Sequence, residues 1–168
     1  MYDMIHESKA YLQNIVKNKP MIGIVLGSGL TDIADELTDK IEVNYEDIPN
    51  FKTSTVKGHS SKLVFGKMGD KNVALMTGRF HFYEGYTMRE ITFPLYVLKA
   101  LGVETVILTN SCGGINTELL EPGSIMIVND FINLMPSNPL IDEFIRNIVM
   151  PYEKDARQEY HGGYSILL

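Results

Sequence analysis

Val73-Ala74-Leu75-Met76-Thr77-Gly78-Arg79-Phe80-His81-Phe82-Tyr83-Glu84-Gly85 is the stretch on which the reading of this chain turns. An apolar run gives way at Gly78 to a guanidinium, an imidazole, a phenol and a carboxylate held between two glycines. Such groups at the end of an apolar strand are costly unless they meet each other or a ligand. In α/β folds, ligands collect at the carboxyl ends of strands. Arg79 and His81 are alternate residues, so on extended backbone they point to one side. A guanidinium grips an oxyanion through two parallel hydrogen bonds, and the imidazole adds a donor. Tyr83 offers a ring face to a sugar. Glu84 reads either as part of that site or as an ion-pair partner of Arg79. Taken singly, His81 also reads as a core histidine and Tyr83 as a core aromatic. Four such groups in one loop favour a site.

Working outward, Leu63–Met68 and Val73–Thr77 flank Gly69-Asp70-Lys71-Asn72, the pattern of a β-hairpin. Downstream, Met88–Leu101 has helical apolar spacing, with Pro94 as a candidate kink and Gly102 as the stop. Met21–Leu26 is almost wholly apolar and reads as a strand buried on both faces, as in a parallel sheet. Gly27-Ser28-Gly29 follows, and Leu30, Ile33, Ala34 and Leu37 then repeat at helical spacing, which places the glycines at a strand-to-helix turn. Val103–Thr109 reads as another buried strand, running into Asn110-Ser111-Cys112-Gly113-Gly114. Asp3–Lys17 reads as an amphipathic helix, Ile41–Tyr45 as an edge strand and Ser124–Ile132 as a further strand. Strands alternating with helices, plus one hairpin, predict an α/β fold with a mixed sheet. The loops 27–29, 78–85 and 110–114 all leave strand ends, so they are expected to share one site.

Composition narrows the function classes. The chain has 168 residues, enough for one domain with its own core, and a formal net charge of -6. That charge disfavours nucleic acid or an anionic membrane as partner. An anionic substrate must then be held by a local cluster. A single cysteine, Cys112, gives no intramolecular disulfide and fits a reducing compartment. No apolar run approaches the roughly 20 residues of a membrane span. The first residues lack the basic-then-apolar pattern of a secretory signal. The expected location is the cytoplasm.

Around the central loop, Gly27-Ser28-Gly29 exposes backbone N–H groups and a hydroxyl at a helix start, which suits a phosphate. The same glycines serve equally well as a plain tight turn. No Gly-Lys-Ser/Thr follows, so this is not a Walker loop, and the full dinucleotide fingerprint is absent. His59, in Gly58-His59-Ser60, lies among polar residues and reads as a loop histidine. Glycines at 113 and 114 let a flat ligand or an oxyanion approach the backbone. Cys112 has no evident activating partner and reads as a small buried apolar residue. No grouping has metal-ligand spacing, and no Gly-x-Ser-x-Gly elbow is present.

Gly27-Ser28-Gly29-Leu30, Gly58-His59, Gly78-Arg79-Phe80-His81-Phe82-Tyr83-Glu84-Gly85 and Asn110-Ser111-Cys112-Gly113-Gly114-Ile115-Asn116 occur in one order and spacing. In this the chain resembles the trimeric purine nucleoside phosphorylases, which include the methylthioadenosine phosphorylases. The match runs from about Met21 to Leu140, and Asp130-Phe131-Ile132-Asn133 and Pro136-Ser137-Asn138-Pro139-Leu140 also look like the family. The resemblance implies a mixed, partly barrel-like central sheet flanked by helices. It implies reversible phosphorolysis of purine (deoxy)ribonucleosides to the free base and (deoxy)ribose 1-phosphate, with inorganic phosphate as co-substrate and no metal or organic cofactor. Carried over, Ser28, His59, Arg79 and Ser111 would bind phosphate, with His81 and Glu84 as catalytic groups beside it. Tyr83, Asn110, Cys112 and Gly113 would line the ribose and base side. A homotrimer is expected. The family usually has alanines where Ser111 and Cys112 stand. Residues 1–140 are therefore read as the N-terminal part of a single phosphorylase-like domain and 141–168 as a divergent tail. The family's purine-reading glutamate and asparagine belong to the part that is not matched, so the chain reads as C-terminally truncated. The alternatives are an inactive remnant that binds phosphate and self-associates, or a methylthioadenosine phosphorylase.

Overall fold

A computed structural model of the chain describes residues 1–52, 61–139 and 166–167. In chain order the elements are α1 (Tyr2–Ile15), β1 (Ile22–Val25), β2 (Thr38–Asn44), β3 (Lys62–Met68), β4 (Lys71–Met76), α2 (Met88–Leu101), β5 (Thr105–Leu108), β6 (Ile127–Val128) and β7 (Ile166–Leu167). Short 3₁₀ segments occupy Thr31–Glu36, Tyr45–Asp47 and Phe82–Glu84. His59, and the tail from 140 except for 166–167, lie outside the described residues.

The fold is α/β with a mixed five-stranded sheet in the order β2-β3-β4-β1-β5. β1 pairs in parallel with both β4 and β5, while β3 runs antiparallel to β4 and to β2. β6 and β7 form a separate antiparallel pair. The β3–β4 turn is tighter than the four-residue loop read from sequence: Met68 already faces Lys71, leaving only Gly69-Asp70 between the strands. Gly69 sits at φ 62°, the left-handed backbone that glycine adopts without a Cβ clash at the first position of a II′ hairpin turn.

The alternation of side chains sorts the core into two layers. Leu63, Phe65, Ala74, Met76 and Val43 face α1 and α2, where Ile5, Leu12, Phe93, Val97 and Leu98 meet them. Val64, Val73 and Leu75 face the other way, onto Leu26, Ala34 and Leu37. This is the period-2 pattern of strands buried on both sides. α2 starts and stops where local chemistry says it should. Thr87 accepts from the Glu90 N–H, and the Glu90 carboxylate accepts from the Thr87 N–H at 2.8 Å. At the other end the chain leaves the helix at Gly102. Pro94 sits inside α2 with its ring buried.

Three expectations need correction. The segment after Gly29 is a six-residue 3₁₀ helix, not an α-helix. Six residues are few for an α-helical nucleus, and i→i+3 bonding suits short pieces. β5 is not buried: it is the outer strand of the sheet among the described residues, with Val106 40% exposed. An apolar composition marks a strand, but what lies beside it decides burial. The strand expected over Ser124–Ile132 shrinks to Ile127–Val128, and Ile125 and Ile132 are exposed.

Leu98 is fully buried between α2 and the sheet, so Leu98→Ala is expected to lower unfolding free energy by about 2–5 kcal/mol in urea melts. Glu90 gives a pH-dependent counterpart. The Thr87 N–H, aided by Lys52 and the Thr87 hydroxyl, holds its carboxyl down at about 2. A carboxyl depressed in the folded state stabilises above its unfolded value, roughly 4.3. That stability is lost as pH falls towards the folded value. At a partly solvated site it stays below about 1 kcal/mol. Glu90→Gln should therefore destabilise at neutral pH, and the difference should fade on acidification; a difference constant with pH contradicts the assignment.

Candidate active site

The three parallel strands end level with one another, Val25 opposite both Met76 and Leu108. The loops that follow them emerge together, and Ser61, just before antiparallel β3, arrives at the same end. Leu26 to Gly29, Thr31, Ser61, Thr77 to Arg79, His81, Tyr83 and Glu84 line a cavity of about 420 Å³ there. A second cavity of about 570 Å³ lies across the Arg79–His81–Tyr83 wall. Its lining is mostly apolar, with Phe80, Met88, Leu95, Leu108 and Met135 among it, and Thr109, Asn110 and Ser111 at one side.

The wall between the cavities is a hydrogen-bonded chain. The Arg79 Nε–H donates to His81 Nε2 at 3.1 Å, and an Arg79 Nη1–H donates to the Thr109 carbonyl. With Nε2 accepting, the ring proton lies on Nδ1, and this N–H donates to the Glu84 carboxylate. The Glu84 contact is therefore to His81. Arg79 carries five N–H donors and these two contacts use two, so among the described residues three N–H groups are left for an oxyanion. His81 stacks on Tyr83, ring centroids 4.8 Å apart and 17° between planes. Tyr83 is 82% exposed, its ring standing at the rim between the two cavities.

Two buried groups hold this loop from behind. The Tyr45 hydroxyl donates to the Gly78 carbonyl at 2.6 Å, and its ring packs on Phe51 and Phe80. Burial pushes the Tyr45 phenol well above its ordinary range, so it stays a donor. The Thr109 hydroxyl accepts from the Gly27 N–H at 2.7 Å and donates to the Val25 carbonyl at 2.9 Å. This brings the β1 and β5 loops into contact: a Cβ at position 27 would lie 2.9 Å from the Thr109 oxygen, so only glycine fits. The next two N–H groups, of Ser28 and Gly29, take no protein partner among the described residues.

The structure brings Ser28, Arg79, His81, Tyr83 and Glu84 around one cavity. Asn110 and Ser111 line the other, and Cys112 and Gly113 line neither. Cys112 is exposed, contrary to its reading as a buried residue, because the loop leaves the open end of β5. His59 is outside the described residues, two positions before Ser61. The sequence reading missed Thr109, Tyr45 and Ser61 as site-building groups. A hydroxyl closing the apolar run Val106-Ile107-Leu108 was the available signal for Thr109.

Comparison with known proteins places this geometry. The family model of the Phosphorylase superfamily matches residues 21–162. Purine nucleoside phosphorylase 1 of Bacillus subtilis is 50% identical over 141 residues, 84% of this chain and 52% of its own length. The chain spans about half the length of the curated relatives it matches. A solved structure of the Schistosoma mansoni purine nucleoside phosphorylase in complex with acetate superposes with a TM-score of 0.79 at 34% identity, covering 93% of this chain and 61% of that one. A purine nucleoside phosphorylase in complex with ribose-1-phosphate gives a TM-score of 0.78 at 35% identity, covering 92% and 60%. Sequence match across most of the chain and a shared fold agree, and the chain belongs to the Phosphorylase superfamily.

Proposed function

We propose that this protein acts in the phosphorolysis of purine ribonucleosides or 2′-deoxyribonucleosides, a pentosyl transfer to inorganic phosphate. The observation that carries this reading is a single cavity lined by Ser28 and Gly29, whose N–H groups take no partner among the described residues, and by Arg79, with Tyr83 at its rim. Backbone N–H groups and a guanidinium together form an oxyanion site. A phosphate oxygen would attack the anomeric carbon while the bond to the purine nitrogen breaks, the base leaving with the electron pair. The sugar is cationic in passing, so the protein's work is to position the anion and to balance charge. Arg79 and Glu84 engage both ring nitrogens of His81, so in this reading the imidazole acts by orienting the guanidinium and backing Tyr83, not as the further donor to phosphate expected from sequence. Tyr83, stacked on that imidazole, would present its ring to the ribose, and the apolar cavity beyond would receive the base.

The same reading makes inorganic phosphate the co-substrate, with no metal or organic cofactor. It assigns His59, Ser28, Arg79 and Ser111 to phosphate and Asn110, Cys112 and Gly113 to ribose and base, although Ser111 lines the apolar cavity and Cys112 and Gly113 line neither. It describes a cytoplasmic homotrimer serving purine salvage. Among the described residues no helix is long and apolar enough to cross a membrane.

The direct assay follows hypoxanthine release from inosine. Product is expected only when phosphate is present, and Arg79→Ala should lower kcat/KM for phosphate by about 10²–10³. Cleavage that ignores phosphate, or no cleavage, would overturn the proposal. Tyr83→Ala should raise the nucleoside KM about tenfold, the loss of one stacked ring, while Tyr83→Phe stays near wild type. Equal losses in both variants would remove Tyr83 from the sugar.

A further inference from the structure

We infer that Thr109 is a positioning residue of the anion site: through its hydroxyl and its carbonyl it sets the Gly27–Gly29 turn against Arg79. The inference rests on the phosphate reading above and goes further, because Thr109 lines the apolar cavity and does not line the one proposed for phosphate.

Three strand ends meet at this residue. The Thr109 N–H donates to the Val25 carbonyl at 3.0 Å, which continues the β1–β5 ladder. Its hydroxyl donates to the same carbonyl and accepts from the Gly27 N–H. Its own carbonyl receives Arg79 from the β4 loop. The residue is 8% exposed, and both roles of its hydroxyl are filled. The Gly27 N–H is drawn into the protein, so the chain turns there and the donors of Ser28 and Gly29 are the next to emerge. On the other side, the bond to Nη1 fixes the position of the guanidinium, and Arg79 lines the cavity. An oxyanion held by both sets of donors therefore depends on a spacing to which Thr109 contributes a contact on each side. Small displacements of such groups are costly: about 1 Å removes roughly a hundredfold in rate.

Removing the hydroxyl and the methyl of Thr109 separately distinguishes this role from simple packing. Thr109→Val keeps the shape and leaves the Gly27 N–H without its acceptor; Thr109→Ser keeps the acceptor. Calorimetric titration of the whole chain with inorganic phosphate should show binding weakened about ten- to hundredfold in Thr109→Val. Thr109→Ser should bind within about threefold of wild type. Leu98→Ala, which destabilises the core at a residue lining neither cavity, should leave the phosphate dissociation constant unchanged. Wild-type phosphate binding that Thr109→Val does not alter would overturn the inference and leave the phosphate reading standing. So would Leu98→Ala weakening it as much. A wild-type chain that does not bind phosphate would overturn the reading and the inference together. If Thr109→Val does not fold, amide exchange on the wild type decides. A Gly27 N–H that exchanges much more slowly than that of Ser28 supports the inference, and equally fast exchange overturns it.

Discussion

Parallel pairing of β1 with both of its neighbours is the constraint on which the rest depends. Because Val25 faces Met76 on one side and Leu108 on the other, three chains leave the sheet at one level and in one direction. Each is then within reach of the next: Gly27 of Thr109, Thr109 of Arg79, and Arg79 of His81. A slip of one residue in either pairing would turn the alternating side chains to the opposite faces and separate these groups. The two-layer core protects the register, since Ala74 and Met76 belong to one face and Val73 and Leu75 to the other.

Within that frame, polar groups are held by more than one contact. Arg79 is anchored on a backbone carbonyl and on an imidazole, His81 on Arg79 and on Glu84, and Gly78 on the buried Tyr45. Groups tied in this way have little rotamer freedom left to lose when a ligand arrives. The donors that remain, on Ser28, Gly29 and Arg79, belong to residues that line a common cavity. The neighbouring apolar cavity shares the same wall. A ligand with an anionic end and a flat apolar end would fit across it.

Much of this was legible in the residues, for reasons that differ from element to element. α2 begins at Met88 and ends at Leu101 as its spacing predicts, because the Thr87–Glu90 box and Gly102 are local signals. That Arg79 and His81 lie on one side follows from their i, i+2 spacing; that the imidazole accepts from the guanidinium, in place of adding a donor to an oxyanion, did not. The partner of Glu84 did not follow, since the 3₁₀ turn at Phe82–Glu84 folds its carboxylate back onto His81. The openness of β5 was equally hidden: Val106-Ile107-Leu108 is as apolar as Ile24-Val25-Leu26, and the strand order distinguishes them. Thr109 shows the same limit, because a threonine at the end of a strand becomes a junction only when the strand beside it is known.

The central claim is that one anion lies between the Gly27–Gly29 turn and Arg79. Nitrogen-15 NMR during a titration with inorganic phosphate tests it most directly. The account predicts saturable shifts of the Ser28 and Gly29 amides and of the Arg79 Nη groups, with one common dissociation constant. Lys17 and Lys67, which line a separate cleft beside α1, should stay unshifted. Saturable shifts confined to that cleft, or none at Ser28, Gly29 and Arg79, would contradict it.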